Sequence, residues 1–141
     1  MLNSGVLALA SGLAAQAFKV IMALALHRRW QPGLFLANGG MPSSHAATVT
    51  TLSLLIGRQE GYSSSLFSLS LIFGIFIIME ATGLRQEIGN QAQLLNELMD
   101  SVLSHRKFDQ KRLRELVGHT WAEVGGGVVF GIAFYFLLVR F

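Results

Sequence analysis

Residues 4–26 form one apolar run, long enough to cross a bilayer core of about 30 Å, and it ends in His27, Arg28, Arg29 and Trp30, residue types that suit a membrane interface. Two further apolar runs cover 64–80 and 120–139, and a shorter one covers 46–56. The short run reaches spanning length only if its helix starts inside the polar segment at 39–45. With 52% hydrophobic and 13% charged residues in 141, the chain is too apolar and too charge-poor for a soluble domain of this size. The expected fold is therefore all-α: an integral membrane helical bundle of about four transmembrane helices plus an amphipathic interfacial helical insertion. Residues 1–141 make one domain, with the insertion at about 84–117.

Within the insertion, Ile88, Leu94 or Leu95, Leu98 and Val102 recur near helical spacing, while Glu87, Gln91, Glu97, Asp100 and Ser101 fall largely elsewhere around the helix. That pattern predicts an amphipathic helix lying against the membrane or the bundle. A second short helix is expected around 110–116, carrying Lys111, Arg112 and Arg114.

Several function classes are excluded early. The chain has no cysteine, so disulfides, thiolate metal sites and cysteine nucleophiles are ruled out. Its net charge of +3 is modest, and the basic residues cluster by region without forming a nucleic-acid-binding stripe. No nucleic-acid partner is expected. The first apolar run lacks the basic start and cleavage pattern of a signal peptide, so it is expected to stay in the mature protein. If the first helix ends in the cytoplasm, Arg28, Arg29, Arg85, Arg106, Lys107, Lys111, Arg112 and Arg114 lie inside, with Arg58 and Arg140 outside. The protein is accordingly expected to be a multi-pass inner (cytoplasmic) membrane protein.

Polarity concentrates in three segments that this threading brings to one membrane face. The first is Gly39-Gly40-Met41-Pro42-Ser43-Ser44-His45. Its glycines, Gly40 among them, let backbone amides approach a ligand closely, and Pro42 favours the start of a helix. Ser43, Ser44 and the next amides then form an anion site at the helix N-terminus, and His45 can hold or release a proton near neutral pH. Phosphate fits such a site. The second segment surrounds Glu80 to Arg85. The third, Gly118-His119-Thr120-Trp121-Ala122-Glu123, is expected to open the last membrane helix, with His119 and Glu123 four residues apart on one face. A carboxylate so placed can fix the imidazole tautomer and leave the other ring nitrogen free to attack, although a solvated His–Glu pair has the same spacing. A metal site would need a third ligand, and no His-Glu-x-x-His spacing occurs. Neither metal nor other cofactor is expected.

Lys19 lies roughly 13 Å below the end of the first helix, deeper than a lysine stem comfortably snorkels. Its charge must face a partner inside the bundle, either Glu80 or Glu123, or a bound anion.

Taken together, Gly-Gly-Met-Pro-Ser-Ser-His at 39–45, Ala81-Thr82-Gly83-Leu84-Arg85, Gly89-x-Gln91-Ala92-x-x-Leu95-Asn96 and Gly118-His119-Thr120-x-x-Glu123-Val124 closely resemble, in order, the divergent branch of the type 2 phosphatidic acid phosphatase superfamily, which also contains the vanadium haloperoxidases. The resemblance runs from about Lys19 to Gly131. It implies that Pro42-Ser43-Ser44-His45 stands for the Pro-Ser-Gly-His motif, with Ser43 and the Ser44 amide on phosphate and His45 as general acid toward the leaving alkoxide. It further implies that His119 is the nucleophile forming a phosphohistidine, with Glu123 as its orienter, and that no metal takes part. Lys19, Arg28, Arg85 and Gly40 are the remaining candidates for holding phosphate.

Two of the superfamily's features differ here. Its lysine followed seven residues later by Arg-Pro is only approximated, since Leu26 stands seven residues after Lys19 and the arginines are Arg28 and Arg29. The Ser-Arg that usually precedes the nucleophilic histidine is missing, with Leu113 in place of its arginine, and Arg85 is the candidate replacement. The expected function is hydrolysis of a membrane lipid phosphomonoester on the cytoplasmic face: phosphatidylglycerophosphate, phosphatidic acid or an isoprenoid phosphate. The alternative is a non-catalytic membrane protein that binds lipid phosphate or scaffolds partners through the same anion site. A Gly-x-x-x-Gly step from Gly127 to Gly131 suits either close packing within the bundle or the seam of a homodimer.

Overall fold

In a computed structural model, residues 3–27, 33, 35, 40–103 and 120–140 are described. They are helical almost throughout: α1 (Ser4–His27), α2 (Ser44–Glu60), α3 (Ser65–Met79), a π-helical turn (Glu80–Leu84), α4 (Arg85–Leu103) and α5 (Trp121–Val139). Side chains fix the helix starts. Asn3 closes α1 by accepting from the Gly5 N–H through Oδ1 at 2.8 Å and from the Leu7 N–H through its carbonyl at 3.1 Å. Ser43 caps α2 and Ser64 caps α3 in the same manner, through the Ala46 and Phe67 amides. Gly61, at a φ of 89°, ends α2 in a conformation that a side chain would strain, and its carbonyl accepts from the Ser64 N–H at 3.1 Å to tighten the link into α3.

α2 is the hub, packed against α1, α3 and α5. Its buried residues are Ala46, Ala47, Val49, Thr51, Ser53, Leu55 and Gly57, which lie on more than one face and are mostly small. A helix enclosed on several sides needs small residues around its circumference, because its neighbours must all approach closely. The contacts also fix direction. Along α1, Gly12 meets Thr48 and Lys19 meets Gly40, so α1 runs antiparallel to α2. Gly57 lies against Phe67 and Gly74 against Val49, so α3 is antiparallel too. Gly127 lies against Ser43 and Gly131 against Ala47, so α5 runs parallel to α2. At the centre of the three-helix contact, the fully buried Thr51 hydroxyl donates to the Gly131 carbonyl of α5 at 3.1 Å and lies in hydrogen-bond contact with the Ser11 hydroxyl of α1 at 2.9 Å.

Three stretches are long and apolar enough to cross a membrane: 4–25, 65–100 and 121–139. α2, with 17 residues rich in serine and threonine, is not among them. The sequence expectation of a fourth spanning helix is met by a shorter helix that the others surround. α3 runs through the π turn into α4 without interruption, so the polar segment starts as a continuation of a membrane helix. At about 1.5 Å per residue, the 36 residues of 65–100 reach about 54 Å, well past a bilayer core of about 30 Å. The α4 end therefore projects beyond the core. Its amphipathic character is present: Ile88, Leu94, Leu95 and Leu98 are exposed on one sector, while Gly89, Ala92 and Asn96 form an adjacent buried stripe. The expected second short helix at 110–116 lies outside the described residues.

The Gly-x-x-x-Gly step serves internal packing. A Cβ on Gly127 would fall on the Ser43 carbonyl and the Ala46 side chain, and one on Gly131 would come within 2.7 Å of the Ala47 carbonyl. Gly125, on the same helix, has nothing near it. Gly127→Ala is expected to lower unfolding stability in detergent by about 2–3 kcal/mol through overpacking against backbone that cannot yield. Gly125→Ala is expected to be neutral or to stabilise by up to about 1 kcal/mol through helix propensity. Chemical or thermal unfolding of the two variants side by side checks both signs.

Candidate functional site

The start of α2 is built from an extended Ser43 (φ −68°, ψ 119°) whose Oγ accepts from the Ala46 N–H at 3.4 Å. The Ser43 N–H in turn donates to the Glu123 carbonyl at 3.0 Å, which ties the 40–45 segment to the first turn of α5. Gly127 makes that approach possible by carrying no side chain beneath the Ser43 carbonyl. Met41 lies across Gly126 of the same helix. Ser43 is fully buried, and its amide and one oxygen lone pair serve the fold, leaving its hydroxyl proton as what it offers an anion.

Ser44 and His45 are the first helical residues of α2, both half-buried. First-turn amides have no acceptor within their own helix, and the helix dipole adds partial positive charge there. The amides presented at this helix N-terminus are those of Ser44 and His45, whereas the Ser43 amide is bonded to the Glu123 carbonyl. Beside them Gly40 has a φ of +87°, and the Lys19 stem passes within 3.2 Å of where a Cβ would stand. Any side chain at position 40 would be strained and would also displace the lysine.

Lys19 is 4% exposed, and it lies in the electrostatic field of Glu123. Of the two carboxylates the sequence offered it, Glu123 is the one whose charge acts on it. Glu123 also has a structural task. Thr120 (φ −76°, ψ 156°) caps α5, its Oγ1 accepting from the Glu123 N–H at 3.3 Å while Glu123 Oε2 accepts from the Thr120 N–H at 3.3 Å. This reciprocal capping box sets the first helical residue at Trp121. The expected pairing of His119 with Glu123 falls outside the described residues. His119 itself and Arg28 lie outside the described residues, as does the Arg85 side chain.

The π turn at 80–84 occupies the same end of the bundle, one turn beyond Ile77, which shares a groove with Ser44 and His45. Thr82 is 2% exposed and its hydroxyl donates to the Ile78 carbonyl at 2.9 Å, satisfying an acceptor that the wider turn frees. All three polar segments of the sequence, 40–45, 80–85 and 120–123, therefore gather at one end, with Lys19 reaching them from below. Among the described residues no group of three or more His, Cys, Asp or Glu is arranged to hold a metal ion. Sequence reasoning passed over Gln16, which lines the same groove; a lone amide inside an apolar membrane run was its signal.

A small all-helical membrane bundle, with a buried lysine and a helix N-terminus meeting at one end, is the class of protein that this arrangement defines. The chain belongs to the Divergent PAP2 family, whose model matches residues 3–134. It is also similar to the uncharacterized membrane protein YuiD of Bacillus subtilis (strain 168), 37% identical over 144 residues that cover 94% of this chain and 91% of the other. No solved structure matches it.

Proposed function

We propose that the protein is a membrane lipid phosphatase that hydrolyses a phosphomonoester without a metal, through a phosphohistidine. The observation that supports this most is the meeting of Lys19, Gly40 and the first turn of α2 with the capped start of α5, one residue beyond His119. Lys19 and the Ser44 and His45 amides hold the phosphoryl oxygens, with Arg85 and Arg28 as further cations and the Ser43 hydroxyl as a donor. Charge spread over those oxygens in the transition state is what preorganised donors stabilise best.

In the first step a neutral nitrogen of His119 attacks phosphorus, the P–O bond to the lipid breaks, and His45 gives its proton to the departing alkoxide. In the second, neutral His45 takes a proton from water, whose oxygen attacks phosphorus, and the P–N bond breaks to return His119 and release phosphate. Glu123, held in the capping box, keeps the local backbone and charge in place around His119. The membrane-facing substrate is a lipid phosphate, and the site is assigned to the cytoplasmic face from the distribution of arginine and lysine. A homodimer remains the candidate assembly.

The test is phosphate release by purified protein in detergent, with chelator present, across phosphatidylglycerophosphate, phosphatidic acid and isoprenoid phosphates. Release that survives chelation, together with a trapped phosphoprotein that is acid-labile and base-stable, is the expected outcome. No release on any lipid would overturn the proposal in favour of phosphate binding without turnover.

A further inference from the structure

A groove of about 480 Å³ runs between α1, α2 and α3, and its wall changes chemistry along its length. Leu9, Leu13 and Ile77 supply apolar wall, whereas Gln16, Ser44 and His45 supply polar wall. Leu9, Leu13 and Gln16 follow one stripe of α1 at steps of three and four, and Lys19 comes one turn later. Moving along α1 toward the candidate phosphate site, the groove passes from hydrocarbon to an amide, and Lys19 stands one helical turn beyond the residues that line it. Leu9 and Leu13 are also exposed on the outer surface of the bundle, so the apolar end opens toward lipid. An extended amphiphile with phosphate at the Lys19 level would lay its chain along Leu13 and Leu9.

Gln16 is the unexplained element. Its Oε1 is buried and has no hydrogen-bond partner among the described residues. A buried acceptor left unpaired opposes folding, and methionine would fill the same space without that penalty. The donor that this oxygen lacks can arrive with the ligand. Gln16 is three residues from Lys19, about 4.5 Å along the helix axis. A hydroxyl on the carbon next to the one bearing the phosphate ester is four bonds from phosphorus, a separation of the same order.

We propose that Gln16 determines specificity: its carbonyl accepts a hydrogen bond from a free hydroxyl of a glycerophosphate-type head, while the chain of the same lipid occupies the groove along Leu13 and Leu9. The site then favours lipid phosphomonoesters that carry such a hydroxyl over isoprenoid phosphates and phosphatidic acid, which lack it. This rests on the phosphatase reading for its substrate class, and the experiment separates the two.

A matched pair isolates the hydroxyl: 1-oleoylglycerol 3-phosphate and its 2-deoxy analogue, 3-oleoyloxypropyl phosphate. Phosphate release and the ligand-induced shift of the thermal unfolding midpoint are measured with both lipids on the full chain and on Gln16→Met. The native protein is expected to prefer the hydroxylated lipid by about tenfold in kcat/KM, and Gln16→Met to erase that preference while keeping its rate on the deoxy lipid. Equal rates on the two lipids in the native protein, or a preference that survives in Gln16→Met, overturns the role of Gln16 and leaves the phosphatase intact. No release from either lipid, with a thermal shift that still favours the hydroxylated one and loses that bias in Gln16→Met, overturns the phosphatase and supports Gln16 as a recognition residue. Neither release nor a discriminating shift overturns both.

Discussion

Phosphate release is expected to vanish in His119→Ala while the protein still folds. A covalent route depends entirely on the ring nitrogen that attacks phosphorus, so its loss leaves only direct attack by water on a bound phosphate. Removing a nucleophile of this kind typically costs about 10⁴-fold or more, and what survives comes from positioning and charge stabilisation alone. Folding is expected to persist because position 119 precedes the Thr120 cap, and the capping box uses only Thr120 and Glu123. The measurement is kcat on a lipid phosphate together with the thermal unfolding midpoint. His45→Ala provides the contrast. Its proton serves the leaving alkoxide, so with p-nitrophenyl phosphate, whose leaving group needs no proton, His45→Ala is expected to keep a first-turnover burst of p-nitrophenol that His119→Ala loses, while its steady-state turnover stays low because the same histidine activates water in the second step. Undiminished release by His119→Ala would eliminate the phosphohistidine and require another nucleophile.

How much of this was legible in the sequence depended on which solvent each helix meets. α1, α3 and α5 face lipid over much of their surface, as Leu9, Phe73, Phe76 and Phe136 show, so hydropathy alone marks them. α2 meets protein on several sides and is small and hydroxylated, with Thr48, Thr51 and Ser53 among its residues, so only the short run at 46–56 stood out as apolar. The π turn leaves no hydropathic trace, so the polarity beginning at 84 did not by itself show that α3 runs on into α4. At the start of α5 two patterns overlapped. Thr120-x-x-Glu123 is the sequence of a capping box, and it sets the first helical residue at Trp121. His119-x-x-x-Glu123 is the other, and its first residue lies outside the described residues.

The candidate site followed similar logic. The depth of Lys19 required a partner within the bundle, and proximity to Glu123 is what the fold supplies. A helix start near Pro42 was legible, whereas the Ser43 amide bond to the Glu123 carbonyl was not, because a contact across 80 residues depends on Gly127 lying beneath it. Gln16 had a one-residue signal that nothing in the local pattern singled out.

Lys19→Met is expected to reduce kcat/KM by about 100-fold to 1,000-fold, the scale seen when one preorganised donor to a developing charge is removed. Methionine has nearly the length of the lysine stem, so packing against Gly40 is preserved and the change is one of charge. Two roles for the lysine make opposite predictions. If it exists to neutralise Glu123, its removal leaves a half-buried carboxylate without its counter-charge, and the loss appears in the unfolding midpoint with kcat/KM nearly unchanged. If it holds phosphate, the carboxylate keeps its bond from the Thr120 amide, the midpoint moves little, and the loss appears in kcat/KM. Protection of the native protein against heat by inorganic phosphate or vanadate should disappear in Lys19→Met for the same reason. Lys19→Arg is expected to recover part of the rate, since it restores charge with a broader head that must crowd Gly40. A cation buried at 4% exposure on an apolar helix carries a desolvation cost that opposing charge must offset. A doubly charged phosphoryl group arriving beside the α2 amides brings more opposing charge than one carboxylate, which is why the kinetic outcome is the one expected.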